Sequence, residues 1–231
     1  MIRIGAKKDE IDTPALLIDL DVMERNIDKM AEFFRSVPAE LRPHGKTHKC
    51  PIIAHKQLEA GAIGITCAKL GEAEVMVESG IRSVLVANQV VGEPKVTRLV
   101  NLVKNSDVMV AVDSQGNVSH LAESARAKDV RLNVLIEVDV GNNRCGTPPG
   151  EPTLRLARDV ASHESLNLRG LLGYEGFCQN ILDMNEREEK TKEAMGKLVS
   201  TRELLEDKGF DMEIVSAGGT GTHMITAGIP D

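Results

Sequence analysis

The sequence predicts an α/β fold with a parallel sheet, either open and doubly wound or, as favoured here, closed into a barrel of the (β/α)8 type, with residues 1–231 forming one domain. Three observations point there. Short β-branched runs alternate with longer stretches of helical period almost to the end of the chain, and strands joined through helices pair in parallel because each neighbour needs a crossover. Several strand runs, residues 83–87 and 133–136 among them, are almost continuously apolar, as strands covered on both faces are. The length of 231 residues suits a single barrel better than two domains.

Taken in order, strands are expected at residues 16–19, 41–48, 63–68, 83–88, 108–113, 133–140, 168–174 and 213–217. The helical stretches are 22–34, 72–79, 96–104, 118–127, 153–162 and, longest, 186–208. In the longest, Met195, Leu198, Val199, Leu204 and Leu205 fall mostly on one face. Glu186–Lys190 and Glu188–Lys192 are acid-before-base pairs one turn apart, and Gly209 supplies a stop. Counted from Leu41, there are seven strand–helix units and no eighth. The expectation is therefore a barrel truncated before its eighth strand, the N-terminal piece of a longer protein.

Composition removes whole classes of function. Lys and Arg number 28 against 35 Asp and Glu, so the formal charge is 28 − 35 = −7, the wrong sign for binding a phosphate backbone. Aromatic residues are 2%, too few for stacking platforms under single strands. At 42% apolar and 27% charged residues, the chain is not one that stays disordered. No apolar run approaches the roughly 18 residues of a membrane helix, and residues 1–9 lack a signal-peptide core. Cys50, Cys67, Cys145 and Cys178 are widely spaced, which reads as reduced thiols and a cytoplasmic protein.

Four constellations carry chemistry. Residues 42–49 set Arg42, His44, Lys46 and His48 at alternate positions, which in an extended chain places four cationic groups on one face. At a barrel mouth, neighbouring positive charges and partial desolvation favour the neutral, nucleophilic amine of Lys46; the alternative is a solvated edge strand. Residues 216–222, Ser-Ala-Gly-Gly-Thr-Gly-Thr, follow an apolar run and can converge backbone N–H groups on an anion. They are neither a Walker loop nor a dinucleotide fingerprint. Arg144 lies in the loop 139–146, and Tyr174, the only tyrosine, lies in the stretch 173–176. All four fall at C-terminal ends of expected strands, where barrel active sites sit. A reactive lysine, a phosphate cup, an arginine and a tyrosine together point to pyridoxal 5'-phosphate held as an imine. Metal and other nucleophile readings are weaker: the six histidines, at 44, 48, 55, 120, 163 and 223, form no ligand motif.

On these residues the chain resembles the fold-type III pyridoxal phosphate enzymes, built on the alanine racemase N-terminal barrel. Within them it is similar to the D-threonine aldolase, 3-hydroxy-D-aspartate aldolase and D-serine dehydratase group. The matching pieces are residues 12–16, 42–49, 72–74, 139–146, 173–176 and 216–222. The resemblance implies that Lys46 anchors the cofactor, that Arg144 lies by the pyridine nitrogen and keeps it unprotonated, and that Tyr174 sits beside the ring. Gly219, Thr220, Gly221 and Thr222 would hold the phosphate. It further implies retro-aldol cleavage of D-β-hydroxy amino acids to glycine and an aldehyde, assisted in the full-length protein by a divalent metal (Mn, Mg or Zn) bound in a C-terminal β domain outside this chain. Dehydration to a keto acid and ammonia is the alternative, and a non-catalytic pyridoxal phosphate carrier a further one. The implied partners are a small D-amino acid and a second subunit, with no nucleic acid or membrane. The loop after Tyr174 lacks the histidine that the resemblance associates with catalysis, so the base stays unassigned, as do metal ligands.

Overall fold

A computed structural model describes residues 4–229; the first three residues and residues 230–231, on which the readings of the two chain ends partly rest, lie outside the described residues. Six strands form one parallel sheet in sequence order: β1 (Ile65–Cys67), β2 (Ser83–Gln89), β3 (Asp107–Val112), β4 (Leu132–Val138), β5 (Leu166–Gly173) and β6 (Ile214–Ser216). The helices are α1 (Leu20–Arg35), α2 (Pro51–Glu59), α3 (Leu70–Glu78), α4 (Glu93–Val103), α5 (Gln115–Ala127), α6 (Glu151–Ala161), α7 (Met184–Asp207) and α8 (His223–Thr226). Helices α3 to α7 are the crossovers between successive strands. Their starts are chemically marked. Asp183 accepts a hydrogen bond from the Glu186 N–H to cap α7, Asp19 does the same for α1 through Val22, and α2, α4 and α6 carry proline in the first turn, where its missing N–H is not needed.

Strand alternation divides the core in two. Val84, Val86, Val108, Val110, Val112, Val134, Ile136 and Leu171 face the helices within the large core, while Leu85, Met109, Ala111, Leu135 and Leu172 form a second cluster on the other face. Such a concave inner face is the packed interior of a barrel. Each of its fully buried Leu and Met side chains contributes roughly 1.5–3 kcal/mol. The sheet curls far enough for the first and last helices to meet: the Phe33 ring of α1 lies edge-on to His223 of α8, 5.2 Å between centroids. The register is regular except at two places. In β2 the pairing jumps from Val86 to Gln89. In β5, Leu168 pairs Val134 but Gly170 pairs Leu135, so Arg169 is an extra residue. A side chain at Gly170 (φ +147°) would run into the Ile214 carbonyl of β6, which is why glycine stands at this bulge.

Three expectations need correction. Residues 16–19 form no strand: Leu16, Leu17 and Ile18 are exposed, and Asp19 serves instead as the cap of α1. The expected strand 41–48 shrinks to one bridge, His44 to Thr66. It is held by Thr66 N–H to the Pro43 carbonyl (2.9 Å) and Gly45 N–H to the Thr66 carbonyl (2.8 Å), after which the chain turns. Pro43 has no N–H to extend the ladder. Two helices were not expected, α2 and the single turn α8 after the glycine-rich loop. On α7, Lys192 pairs with Glu188 as expected, whereas Lys190 turns to Glu193.

Candidate active site at the C-terminal mouth

The turn after His44 carries Lys46 away from the sheet and over the C-terminal ends of the strands. Lys49 sits in left-handed backbone (φ 50°), and its ammonium meets Glu72 at 2.7 Å. Glu72 also accepts the Ala68 N–H at 2.8 Å, so one carboxylate ties the Lys46 turn to the start of α3. Burial alone would raise the Glu72 carboxyl, but the hydrogen bonds from Lys49 and the Ala68 N–H outweigh it and hold the group below its ordinary value. Lys46 itself is exposed. Its Nζ lies 5.9 Å from the centroid of the Tyr174 ring, and the Arg144 guanidinium carbon lies 5.4 Å from the same centroid. Three residues distant in sequence thus meet at one ring.

Arg144 is oriented from below. Glu137, on the inner face of β4 and only 3% exposed, accepts from Arg144 Nη2 (3.4 Å) and Cys145 Sγ (3.1 Å) on one oxygen. Its other oxygen takes the Gln89 amide at 2.7 Å, the residue delivered by the β2 irregularity. Burial and the Glu137 carboxylate push the Cys145 thiol up, so it behaves as a donor and not as a nucleophile. His44 is pushed down to about 4, first by burial and then by the Lys46 cation. Its Nδ1 faces the Lys46 N–H at 3.3 Å, which leaves the ring proton of the neutral imidazole on Nε2.

The four cationic groups of residues 42–48 do not gather at one mouth. Arg42 points to the opposite mouth, where its guanidinium donates to Ser83 Oγ at 3.0 Å. His48 is turned back by the Cys50 N–H at 3.0 Å. Arg42 lies before the turn, toward the start of this segment, and the turn over residues 45–48 ends strand alternation after His44, which separates Lys46 from His48. The glycine-rich loop also differs in detail from a free cup. Gly219 N–H bonds Thr222 Oγ1 (3.0 Å), Gly221 N–H bonds Gln179 Oε1 (2.6 Å) and Thr222 N–H bonds the Gly219 carbonyl (3.1 Å). Of the four residues expected to hold a phosphate, Thr220 alone has an N–H with no protein partner among the described residues. Thr220 is exposed at the loop apex.

A family model described as alanine racemase, N-terminal domain, matches residues 18–228. The chain belongs to that family. It is 34% identical over 221 residues to a 3-hydroxy-D-aspartate aldolase of Paracoccus denitrificans (strain Pd 1222), covering 95% of this chain and 57% of the relative. It is 30% identical to a D-threo-3-hydroxyaspartate dehydratase of Delftia sp. (strain HT23), covering 93% of this chain and 57% of the relative. Among solved structures, the D-threonine aldolase from Filomicrobium marinum superposes with a TM-score of 0.93 at 40% identity, covering 95% of this chain and 59% of that one. The chain therefore spans little more than half the length of these relatives.

The residues of this alanine racemase-type barrel fit pyridoxal 5'-phosphate in their donor chemistry. Lys46 offers an exposed amine that makes no hydrogen bond or ion pair through its side chain among the described residues, and Thr220 offers an open N–H. Gly176 is a glycine because a Cβ there would lie 2.5 Å from Tyr174 Cε1, so the ring can lie flat against its own loop. Among the described residues no group of three or more His, Cys, Asp or Glu side chains is placed to hold a metal ion. Glu72 was picked out only as part of the matching stretch 72–74, and Gln89, Glu137 and Gln179 were not picked out as site residues. Glu137 had a visible signal, a lone acid inside the apolar run 134–138 and seven residues before Arg144. Gln89 and Gln179 had none, because their partners come from distant elements.

Proposed function

We propose that this chain is the cofactor-holding barrel of a pyridoxal 5'-phosphate-dependent lyase that cleaves D-β-hydroxy amino acids by a retro-aldol reaction to glycine and an aldehyde. The carrying observation is the meeting of Lys46 and Arg144 at the Tyr174 ring, and the aldolase relatives support the reaction class. When bound, the cofactor supplies an electron sink for the pair left at the substrate α-carbon. Lys46 Nζ is the group placed to hold the cofactor aldehyde and to take or return a proton. The neutral His44 keeps a further positive charge out of its surroundings. Arg144, steadied by Glu137, presents its guanidinium to the ring, and Tyr174 has both cations at its own ring. Thr220 offers its N–H to the phosphate. The divalent metal that the resemblance implies finds no ligand set among the described residues, so its chemistry is assigned to none of them.

Dehydration is the second reading, favoured by the 30% identity to the Delftia dehydratase. The proposal also takes the protein to be a cytoplasmic homodimer, supported by four free thiols and by the exposed apolar run at Leu16, Leu17 and Ile18. The test is an absorption titration of the full-length protein with pyridoxal 5'-phosphate, wild type beside Lys46→Ala. D-threonine and D-serine are then added with and without divalent metal. An imine band lost in the variant, followed by release of acetaldehyde, supports the aldolase; ammonia release moves the reading to the dehydratase. A band without product from any D-β-hydroxy amino acid would leave a carrier, and no band in folded wild type would sink the cofactor assignment.

A further inference from the structure

Glu175 directly follows Tyr174 and has no exposed surface. Its carboxylate accepts hydrogen bonds from Thr222 Oγ1, the Gly218 N–H at 3.3 Å and Thr226 Oγ1 at 3.4 Å. No cation pairs with it among the described residues. A buried carboxylate held by neutral donors alone is an expensive way to fill space, and its effect is on direction. A carboxylate only accepts, so the Thr222 hydroxyl must donate to it. The two lone pairs of that hydroxyl then take the Gly219 N–H at 3.0 Å and the Gln179 amide nitrogen at 3.1 Å, which saturates the oxygen. The Gln179 amide is thereby fixed, nitrogen toward Thr222 and oxygen toward the Gly221 N–H at 2.6 Å. One buried group sets the sense of these hydrogen bonds around the loop 218–222, and it leaves the N–H of Thr220 without a protein partner among the described residues.

We propose that Glu175 is a positioning residue for the cofactor phosphate: without touching the anion, it locks residues 218–222, through Thr222 and Gln179, into the shape that presents Thr220. This rests on the reading that the chain binds pyridoxal 5'-phosphate. It goes beyond that reading by assigning phosphate recognition to a network that starts at the residue beside Tyr174.

The test compares pyridoxal 5'-phosphate with pyridoxal, which has the same ring and aldehyde and no phosphate, by absorption titration of the full-length protein. Glu175→Gln replaces one acceptor oxygen by a donor and breaks the sense of the network; Thr222→Val removes its central hydroxyl, and Thr222→Ser restores it. Glu175→Gln and Thr222→Val are expected to weaken pyridoxal 5'-phosphate about tenfold or more and to leave pyridoxal within about twofold, with Thr222→Ser near wild type. Should Glu175→Gln fail to fold by circular dichroism, the Thr222 pair decides alone. Equal weakening of both ligands would overturn the proposal in favour of a purely structural prop, and so would unchanged binding of the phosphate ester. Failure of the underlying reading looks different: wild type binds neither ligand, or Lys46→Ala binds both unchanged.

Discussion

The two mouths of the barrel are built from similar residues and do opposite things with them. At the N-terminal mouth each polar side chain of the inner face finds another. Arg42 meets Ser83, Asn133 donates to Asp107 at 2.8 Å, Asn167 donates to Asn133 at 2.7 Å, and Arg169 pairs with Glu213. The result is a polar layer that bridges neighbouring strands. At the C-terminal mouth Lys46 and the Thr220 N–H are without partners among the described residues, and Arg144 shares one carboxylate with Gln89 and Cys145. Between the two lies the apolar layer of Leu85, Met109, Leu135 and Leu172. Satisfied polar groups stabilise and unsatisfied ones bind, which separates stability from function along the barrel axis.

That separation can be broken by substitution. The largest effect is expected from Lys46→Ala, which should abolish the imine band while shifting the urea unfolding free energy by no more than about 0.5 kcal/mol, as for a surface site. The converse is Asn133→Ala, which strands Asp107 and Asn167 together. It should cost about 0.5–1.5 kcal/mol in urea unfolding and leave the pyridoxal 5'-phosphate titration unchanged. A loss of binding there equal to that of Lys46→Ala would refute the division of labour.

A pH series sharpens the comparison. His44 falls from 6.5 to about 4 in the fold, so the unfolded chain binds more protons between those values. The His44 contribution is fully present above about pH 6.5 and is lost as pH falls toward 4. Wild type should therefore lose unfolding free energy faster than His44→Asn across that window, with the two curves parallel above it. The smallest effect belongs to Glu72→Gln. Its partner Lys49 is 60% exposed, so the ion pair itself is worth about 0.2–1 kcal/mol, and the variant is expected to slow imine formation more than it lowers stability, read by stopped-flow absorbance.

How much of this was legible beforehand follows from where each signal lives. The strands β2 to β5 declare themselves because their outward valines and isoleucines and inward leucines are both buried, giving unbroken apolar runs. Arg144 and Tyr174 were singled out by their positions after such runs, and Lys46 by the alternation of cationic residues at 42–48. The turn at residues 45–48 was not, since alternation of charged residues looks the same in a strand and in a turn, and only the pairing of Pro43 and Gly45 with Thr66 distinguishes them. Helix α2 was hidden because its apolar residues make no clear stripe, with Ile53 and Ala54 buried but Ile52 exposed. The partners of Glu175 lie 43 to 51 residues away, a distance at which local pattern says nothing.

The extra residue in β5 has a consequence for any change of length in that strand. Asn167 belongs to the inner polar layer, and Leu172 belongs to the inner apolar layer. One position is odd and the other even, and strict alternation forbids both from facing inward. They do so because Arg169 is skipped in the pairing with β4. That skip sets the parity with which the chain arrives at Tyr174 and Glu175, one at the open mouth and the other under the glycine-rich loop. Deleting Arg169 would close the bulge and leave Leu172, Tyr174 and Glu175 on their present faces, whereas deleting one residue from the paired stretch after Gly170 would leave every residue of the mouth in the sequence and exchange the faces of Tyr174 and Glu175.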